Sequence, residues 1–268
     1  MIPGAPDQPD EVLTNPPSGR TVLTLAMIAL VVVCGLGGAA LWWTGSRPAS
    51  VSSSPDPGLL DRPEVVTAEH SVVKLVGTAP GCRRRMQSTG FVYAPERVMT
   101  NAHSVAGSQG PIDVLVPTSG AHYSATVVLF DPQRDVAVLA VPELPLAPLP
   151  FDTSGGRGDP AVIAGFPKDA TTVIATAARI RARQTSTSAD IYHSVQNVRR
   201  DIFSLTGTVR AGDSGAPLLS AEGAVYGLVF AAESSDPGAG YALTAGEIAG
   251  DAQNGRIATD AVPTGGCD

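Results

Sequence analysis

The 268-residue sequence predicts an all-β domain, a sandwich or barrel, carried behind a single transmembrane helix. Three observations predict it. From about Pro63 onward, short apolar runs alternate with clusters of Gly, Pro, Asp and Ser, the texture of strands and turns. Val and Ala dominate those runs and aromatic residues make up only 5 % of the chain, so the core is aliphatic. One uncharged stretch of 22 residues, Val22 to Trp43, stands apart from that texture.

Taken in order, residues 1–20 are rich in Pro, Asp and Gly and are expected to be a short disordered cytoplasmic tail. A transmembrane helix is expected over 21–44. At about 1.5 Å per residue its apolar run covers the roughly 30 Å hydrocarbon core, and Trp42 and Trp43 close it where aromatic rings favour the interface. A cleaved signal peptide competes for this segment, but its apolar core is usually only about 7–15 residues. Arg20 and Arg47 flank the run, so charge leaves the orientation nearly balanced. Residues 45–62, beginning GSRPASVSSSPDPG, form a Ser/Pro linker. The globular domain is expected over 63–268. Its strands are read at SVVKLVG (71–77), GFVYA (90–94), DVLVP (113–117), ATVVLF (125–130), VAVLAV (136–141), AVIAGF (161–166) and AVYGLVFAA (224–232). ARIRARQ (178–184) alternates arginine with Ile180 and Ala182, as a strand with one wet face does. A helix is expected only near 245–254, and Arg83-Arg84-Arg85 reads as a solvated loop.

The net charge of −7 excludes a nucleic-acid binder, which carries a basic face. Only two of the 18 basic residues are lysine, a bias read as genomic. Of the three cysteines, Cys34 lies in the apolar run, leaving Cys82 and Cys267. In an oxidising compartment these two would be bonded, closing a long loop for a gain on the order of 5 kcal/mol. No CxxC and no metal-ligand spacing occurs, so neither metal nor cofactor is expected.

The segment GDSGAPLL (212–219) sets a serine between glycines ahead of an apolar run. A nucleophilic serine needs a histidine to take its proton and a carboxylate to hold that histidine. All four histidines, His70, His103, His122 and His193, precede Ser214, which removes the α/β-hydrolase order. Asp61 and Glu64 are poor material for an acid ahead of the histidine. The order His, Asp, Ser remains. His103 follows an apolar run in RVMTNAH (97–103), and Asp135 stands where a turn enters VAVLAV.

TNAH (100–103), DVAVLAV (135–141), GDSGAPLL (212–219), YGLVFAA (226–232) and YALTAGEIAG (241–250) together resemble a trypsin-like serine protease of the chymotrypsin fold. More narrowly, they resemble the MarP-type acid-resistance periplasmic serine proteases of actinobacteria, over roughly Val65 to Cys267. That resemblance implies two six-stranded antiparallel β-barrels with the site in the cleft between them. It implies Ser214 as nucleophile, His103 as base and Asp135 as the acid that fixes the imidazole, with the N–H groups of Gly212 and Ser214 forming the oxyanion hole. Thr208 stands where a basic-residue pocket carries aspartate. A pocket of Thr208, Arg210, Ala231 and Ala232 is therefore expected to take small or apolar side chains. The resemblance also implies a Cys82–Cys267 disulfide, a periplasmic domain, protein or peptide substrates in the cell envelope and a role in acid or oxidative stress. Self-cleavage in the exposed linker (45–61) is a further expectation.

Two departures stand out. The family's membrane portion is polytopic, whereas this chain shows one apolar span. Ala216 replaces the second glycine of GDSGGP, which is tolerable only if that backbone does not need φ > 0. The alternatives are a catalytically inactive binding module on the same fold, which the complete set of three residues argues against, and a secreted enzyme released from its leader.

Overall fold

The computed structural model describes residues 54–267. The expected tail and apolar run lie outside them, and among the described residues no helix is long and apolar enough to cross a membrane. Two closed barrels make up the fold. The first contains β1 (Val72–Ala79), β2 (Arg84–Ala94), β3 (Arg97–Thr100), β4 (Ile112–Val116), β5 (Ala121–Asp131) and β6 (Val136–Ala140), in the order β1-β2-β3-β6-β5-β4. The second contains β7 (Pro160–Gly165), β8 (Ile174–Ser188), β9 (Val198–Thr206), β10 (Pro217–Leu219), β11 (Val225–Ala232) and β12 (Ala239–Thr244), in the order β10-β11-β12-β9-β8-β7. Closure leaves no free sheet edge, and alternation sends every second side chain inward. Val73, Leu75, Val92, Val98, Val114 and Leu139 fill the first interior, while Ile163, Ile180, Phe203, Leu205, Leu218 and Val229 fill the second.

The apolar runs read from the sequence fall on strands, with three differences. Arg84 and Arg85 are not loop residues. They open β2, paired with Ala79 and Thr78. β9 (VRRDIFSLT) went unread because charges interrupt it. Its Arg200 is buried, and the guanidinium is satisfied by the carbonyls of Gln133 and Ala189 and the Ser188 hydroxyl. Burying a guanidinium is tolerable only when its donors are filled.

The third difference concerns the N-terminal boundary. Residues 57–61 of the expected linker form a 3-10 turn (Pro57–Asp61), capped by Asp56 and burying Leu59. Arg179 of β8 donates to the Ser54 carbonyl. A short helix, α1 (Pro63–Glu69), follows and buries Val65 and Ala68. The packed domain therefore begins before Pro63, because Leu59 supplies an anchor that the Pro/Ser composition concealed.

After β12 the chain forms α2 (Ala245–Ile257), capped by Thr244 accepting from the Glu247 N–H, and then crosses to the first barrel. Val262 and Gly107 donate to the Val127 and Thr264 carbonyls. Cys267 is bonded to Cys82, 185 positions away, with the Cα atoms 5.6 Å apart. Gly107 is required here: its φ is +68°, and a Cβ would stand 2.9 Å from the Cys82 sulfur.

Replacing Cys82 and Cys267 by serine should lower unfolding stability by about 2–5 kcal/mol. Urea titration of wild type and variant, each with and without reductant, checks this. Equal midpoints in all four would contradict it, as would peptide mapping that finds both thiols free in exported protein.

Candidate active site

Strand register brings the first two groups together. Thr100, the last residue of β3, pairs with Ala137 of β6, so residues 101–103 leave β3 beside the turn that enters β6. Asp135 ends that turn. Its carboxylate accepts from the His103 backbone N–H at 2.9 Å through Oδ1 and faces His103 Nδ1 at 2.8 Å through Oδ2. Asp135 is buried, while 27 % of the imidazole side chain stays exposed. In the neutral imidazole, the facing carboxylate selects the tautomer with the proton on Nδ1 and the lone pair on Nε2. Asp135 has φ +64°, a left-handed conformation that aspartate tolerates better than most residues. It is held there by Asn101 Nδ2, which donates to the Asp135 carbonyl at 3.0 Å, while Asp131 accepts from the Gln133 and Arg134 N–H groups.

A second His–Asp pair exists, His122 with Asp113, but both side chains are largely in solvent. His70 caps the end of α1, and His193 lies in the connection between β8 and β9.

Ser214 arrives from the second barrel, in the connection between β9 and β10. Its carbonyl accepts from the Thr89 N–H of β2 at 3.0 Å. Gly215, at φ +87°, presses so closely on the first barrel that a Cβ would lie 2.0 Å from the Thr89 carbonyl oxygen and 2.3 Å from Thr100 Oγ1. The serine loop thus seats against the end of the strand that leads into His103. Ala216 is buried and is not among the residues with positive φ, so its methyl group is accommodated and the glycine requirement falls on position 215.

Two peptide planes beside Ser214 are pinned by their carbonyls. In a trans peptide the C=O and the following N–H point in opposite directions. The Ala211 carbonyl accepts from the Lys168 N–H at 2.7 Å, which turns the Gly212 N–H the other way. The Asp213 carbonyl accepts from the Ala216 N–H at 2.9 Å, which fixes the Ser214 N–H likewise. Neither donor has a backbone acceptor among the described residues. Gly212 has φ +100°, and a Cβ there would strike the Phe166 carbonyl oxygen at 2.3 Å. Asp213 braces the turn: its Oδ2 accepts from the Arg210 N–H at 2.8 Å, and burial pushes its carboxyl up against that bond.

Of the four residues expected to form a specificity pocket, Ala231 and Ala232 lie at the end of β11 and Thr208 at the start of the serine loop. Val209, which the sequence reading passed over, borders Gly240 together with the Ala231 carbonyl and ties the two segments. Arg210 is exposed, and its guanidinium donates to Thr176 Oγ1 on β8. Thr89 was also passed over. Its hydroxyl donates to the Gly212 carbonyl at 2.8 Å and accepts from the Phe166 N–H at 2.8 Å. No signal marked it in the sequence, since Arg84, Arg85, Gln87 and Ser88 stand in the same strand. Among the described residues no group of His, Cys, Asp and Glu could hold a metal ion.

Residues 88–228 match the family model of the trypsin-like peptidase domain. The chain is 44 % identical over 222 residues to the serine protease Rv3671c of Mycobacterium tuberculosis, covering 82 % of this chain and 54 % of the relative. It thus spans about half the length of that relative. The crystal structure of the Rv3671c protease in its active form superposes with a TM-score of 0.76 at 43 % identity, covering 83 % of this chain and 96 % of that one. A probable periplasmic DegP-like serine endoprotease of Chlamydia pneumoniae is 28 % identical over 162 residues, covering 59 % of this chain and 31 % of the relative.

The Asp135 turn also bears on α2. Arg134 pairs with Asp131 at 2.8 Å and with Glu247 of α2 at 3.4 Å. Asp251, one turn further along α2, is buried, and its Oδ2 has no hydrogen-bond partner. Burial, then the Asp131 and Glu247 charges, push its carboxyl up to about 6, against the pull of Arg134. A carboxyl raised in the folded state destabilises the fold where it must ionise. The penalty is absent below the ordinary carboxyl range, grows as pH rises through about 4 to 6, and is complete above it. Asp251→Asn should therefore raise the thermal midpoint at pH 7.5 by roughly 2–4 °C and leave it little changed at pH 4. Melting curves across this range check it. An equal shift at both pH values would refute the electrostatic account.

Proposed function

The chain belongs to the trypsin-like peptidase family, and from that premise we propose that it is a membrane-anchored serine endopeptidase of the cell envelope, working through His103, Asp135 and Ser214. The observation that carries this reading is the two-point hold of Asp135 on His103, at the barrel junction that also receives the Ser214 loop. In this reading His103 Nε2 accepts the Ser214 proton as Oγ attacks the scissile carbonyl. Asp135 fixes the tautomer and stabilises the imidazolium, and His103 then returns the proton to the leaving amine. The N–H groups of Gly212 and Ser214 receive the developing oxyanion, each worth roughly 3 kcal/mol. Both are pre-aimed, because the carbonyls of their own peptides are already bonded elsewhere. Small or apolar side chains fit the wall formed by Thr208, Ala231 and Ala232.

Anchoring rests on the uncharged run of 22 residues, and an envelope location on that run together with the Cys82–Cys267 bond, which suits an oxidising compartment. A stress role in acid rests on the relationship to the MarP-type proteases. Self-cleavage belongs to residues 45–53, since the remainder of the expected linker is packed against β8 and the 3-10 turn.

A fluorophosphonate probe applied to intact membranes tests the reading. Labelling should map to Ser214, vanish in Ser214→Ala and His103→Ala, and persist in His122→Ala and His193→Ala. Asp135→Asn should lower turnover by about 10⁴-fold. Labelling that depends on His122 instead of His103 would overturn the assignment. A folded wild type that never labels would favour the inactive binding module. At pH 5, a new N-terminus within 45–53 should appear in wild type and not in Ser214→Ala.

A further inference from the structure

The chain contains two lysines, Lys74 and Lys168, 94 positions apart and in different barrels. Both line one open depression of about 480 Å³, together with Val76, Arg85, Gln87, Asp169, Ala211 and Gly212. Lys74 projects from β1, Arg85 from β2, and Lys168 from the turn after β7. Three cations thus face one carboxylate in a chain whose net charge is −7. Lys74 Nζ donates to the Ala170 carbonyl at 2.8 Å, which uses one of its three donors and aims the others. Arg85 and Lys168 enter none of the ion pairs formed among the described residues. A surface whose cations are paired internally recruits nothing, and this one is left unpaired.

Its position relative to the bond to be cut follows from the serine loop. The 208–210 end of that loop packs through Val209 against Gly240 and the Ala231 carbonyl, beside the expected specificity wall. The 211–212 end packs against Phe166, Pro167 and Lys168 instead. The depression therefore borders the 211–212 end of the oxyanion turn, and the expected specificity wall borders its Val209 end. A peptide whose acyl side rests on Ala231 and Ala232 would then pass its leaving side over Gly212 towards Lys74 and Lys168. Gln87 closes this side by donating to the Pro167 carbonyl.

We propose that this depression is a subsite for an acidic side chain on the leaving-group side of the scissile bond. The favoured substrates are then proteins carrying Asp or Glu within the first three residues after the cut. This rests on the endopeptidase reading above. It gives the two lysines a shared role, where composition alone assigned them none.

The test uses internally quenched peptides with one fixed acyl side and Glu, Gln or Lys at each of the first three leaving-side positions. In wild type, Glu should exceed Gln in kcat/KM by about five-fold at one position, and the ratio should shrink towards one in 0.5 M salt. Lys168→Glu should invert the order so that Lys is preferred, and Lys74→Met should flatten it. Because each comparison is a ratio within one protein, a change in the active fraction cancels. Equal rates for Glu and Gln at all three positions, in wild type that labels with fluorophosphonate, would overturn the subsite and leave the triad standing. If wild type does not label, binding of the same peptides to the full chain is measured by calorimetry. Tighter binding of the Glu peptide, lost in Lys168→Glu, upholds the subsite without the catalytic reading. Equal binding of Glu and Gln peptides overturns it.

Discussion

Thr89 is the residue on which the rest of the site depends. It is fully buried and makes three hydrogen bonds across the barrel junction and a fourth to the end of β3. Its N–H donates to the Ser214 carbonyl and its carbonyl accepts from Thr100 Oγ1. Its hydroxyl donates to the Gly212 carbonyl and accepts from the Phe166 N–H. One residue, through backbone and hydroxyl together, therefore registers β2, the end of β3, the end of β7 and the serine loop. A buried hydroxyl with both roles filled fixes direction as well as distance, and an apolar residue of the same shape would do neither. The relation between His103 on one barrel and Ser214 on the other is set by this contact and by the absence of a side chain at Gly215.

Most strands were legible in the sequence because valine and alanine runs bounded by Gly, Pro, Asp and Ser have few other ways to be buried. Closure of those strands into two barrels came from the resemblance, since periodicity does not state which strand lies next to which. Where polar residues are structural, the reading failed. Arg200 hid β9 because a guanidinium satisfied by carbonyls looks, in sequence, like a solvated one. Leu59 hid inside a Pro/Ser stretch because one adjacent pair, Leu59 and Leu60, carries no period.

The site divides in the same way. His103, Asp135 and Ser214 stand out in the sequence because nucleophilic catalysis demands those residue types in that order. Thr89, Asn101 and Val209 do not, because they position neighbouring groups instead of reacting, and many residue types can do that in many places. The lysines were seen and set aside as compositional. Only the fold shows that β1 and the turn after β7 bring them to one depression beside Gly212.

The bond between Cys82 and Cys267 also governs what a peptide cut does to the domain. The bonded residues enclose both barrels almost entirely, from the connection after β1 to the end of the chain. A single peptide cut anywhere between them, for example in the exposed 233–238 loop, opens a ring and does not release a fragment. Both pieces stay tethered at concentrations that favour their re-docking, so a nicked molecule keeps its two halves in register. A single cut detaches mass only where it falls before Cys82 or after Cys267. The covalent architecture thereby sorts proteolytic events into those that trim residues outside the ring and those that leave the two barrels in one piece.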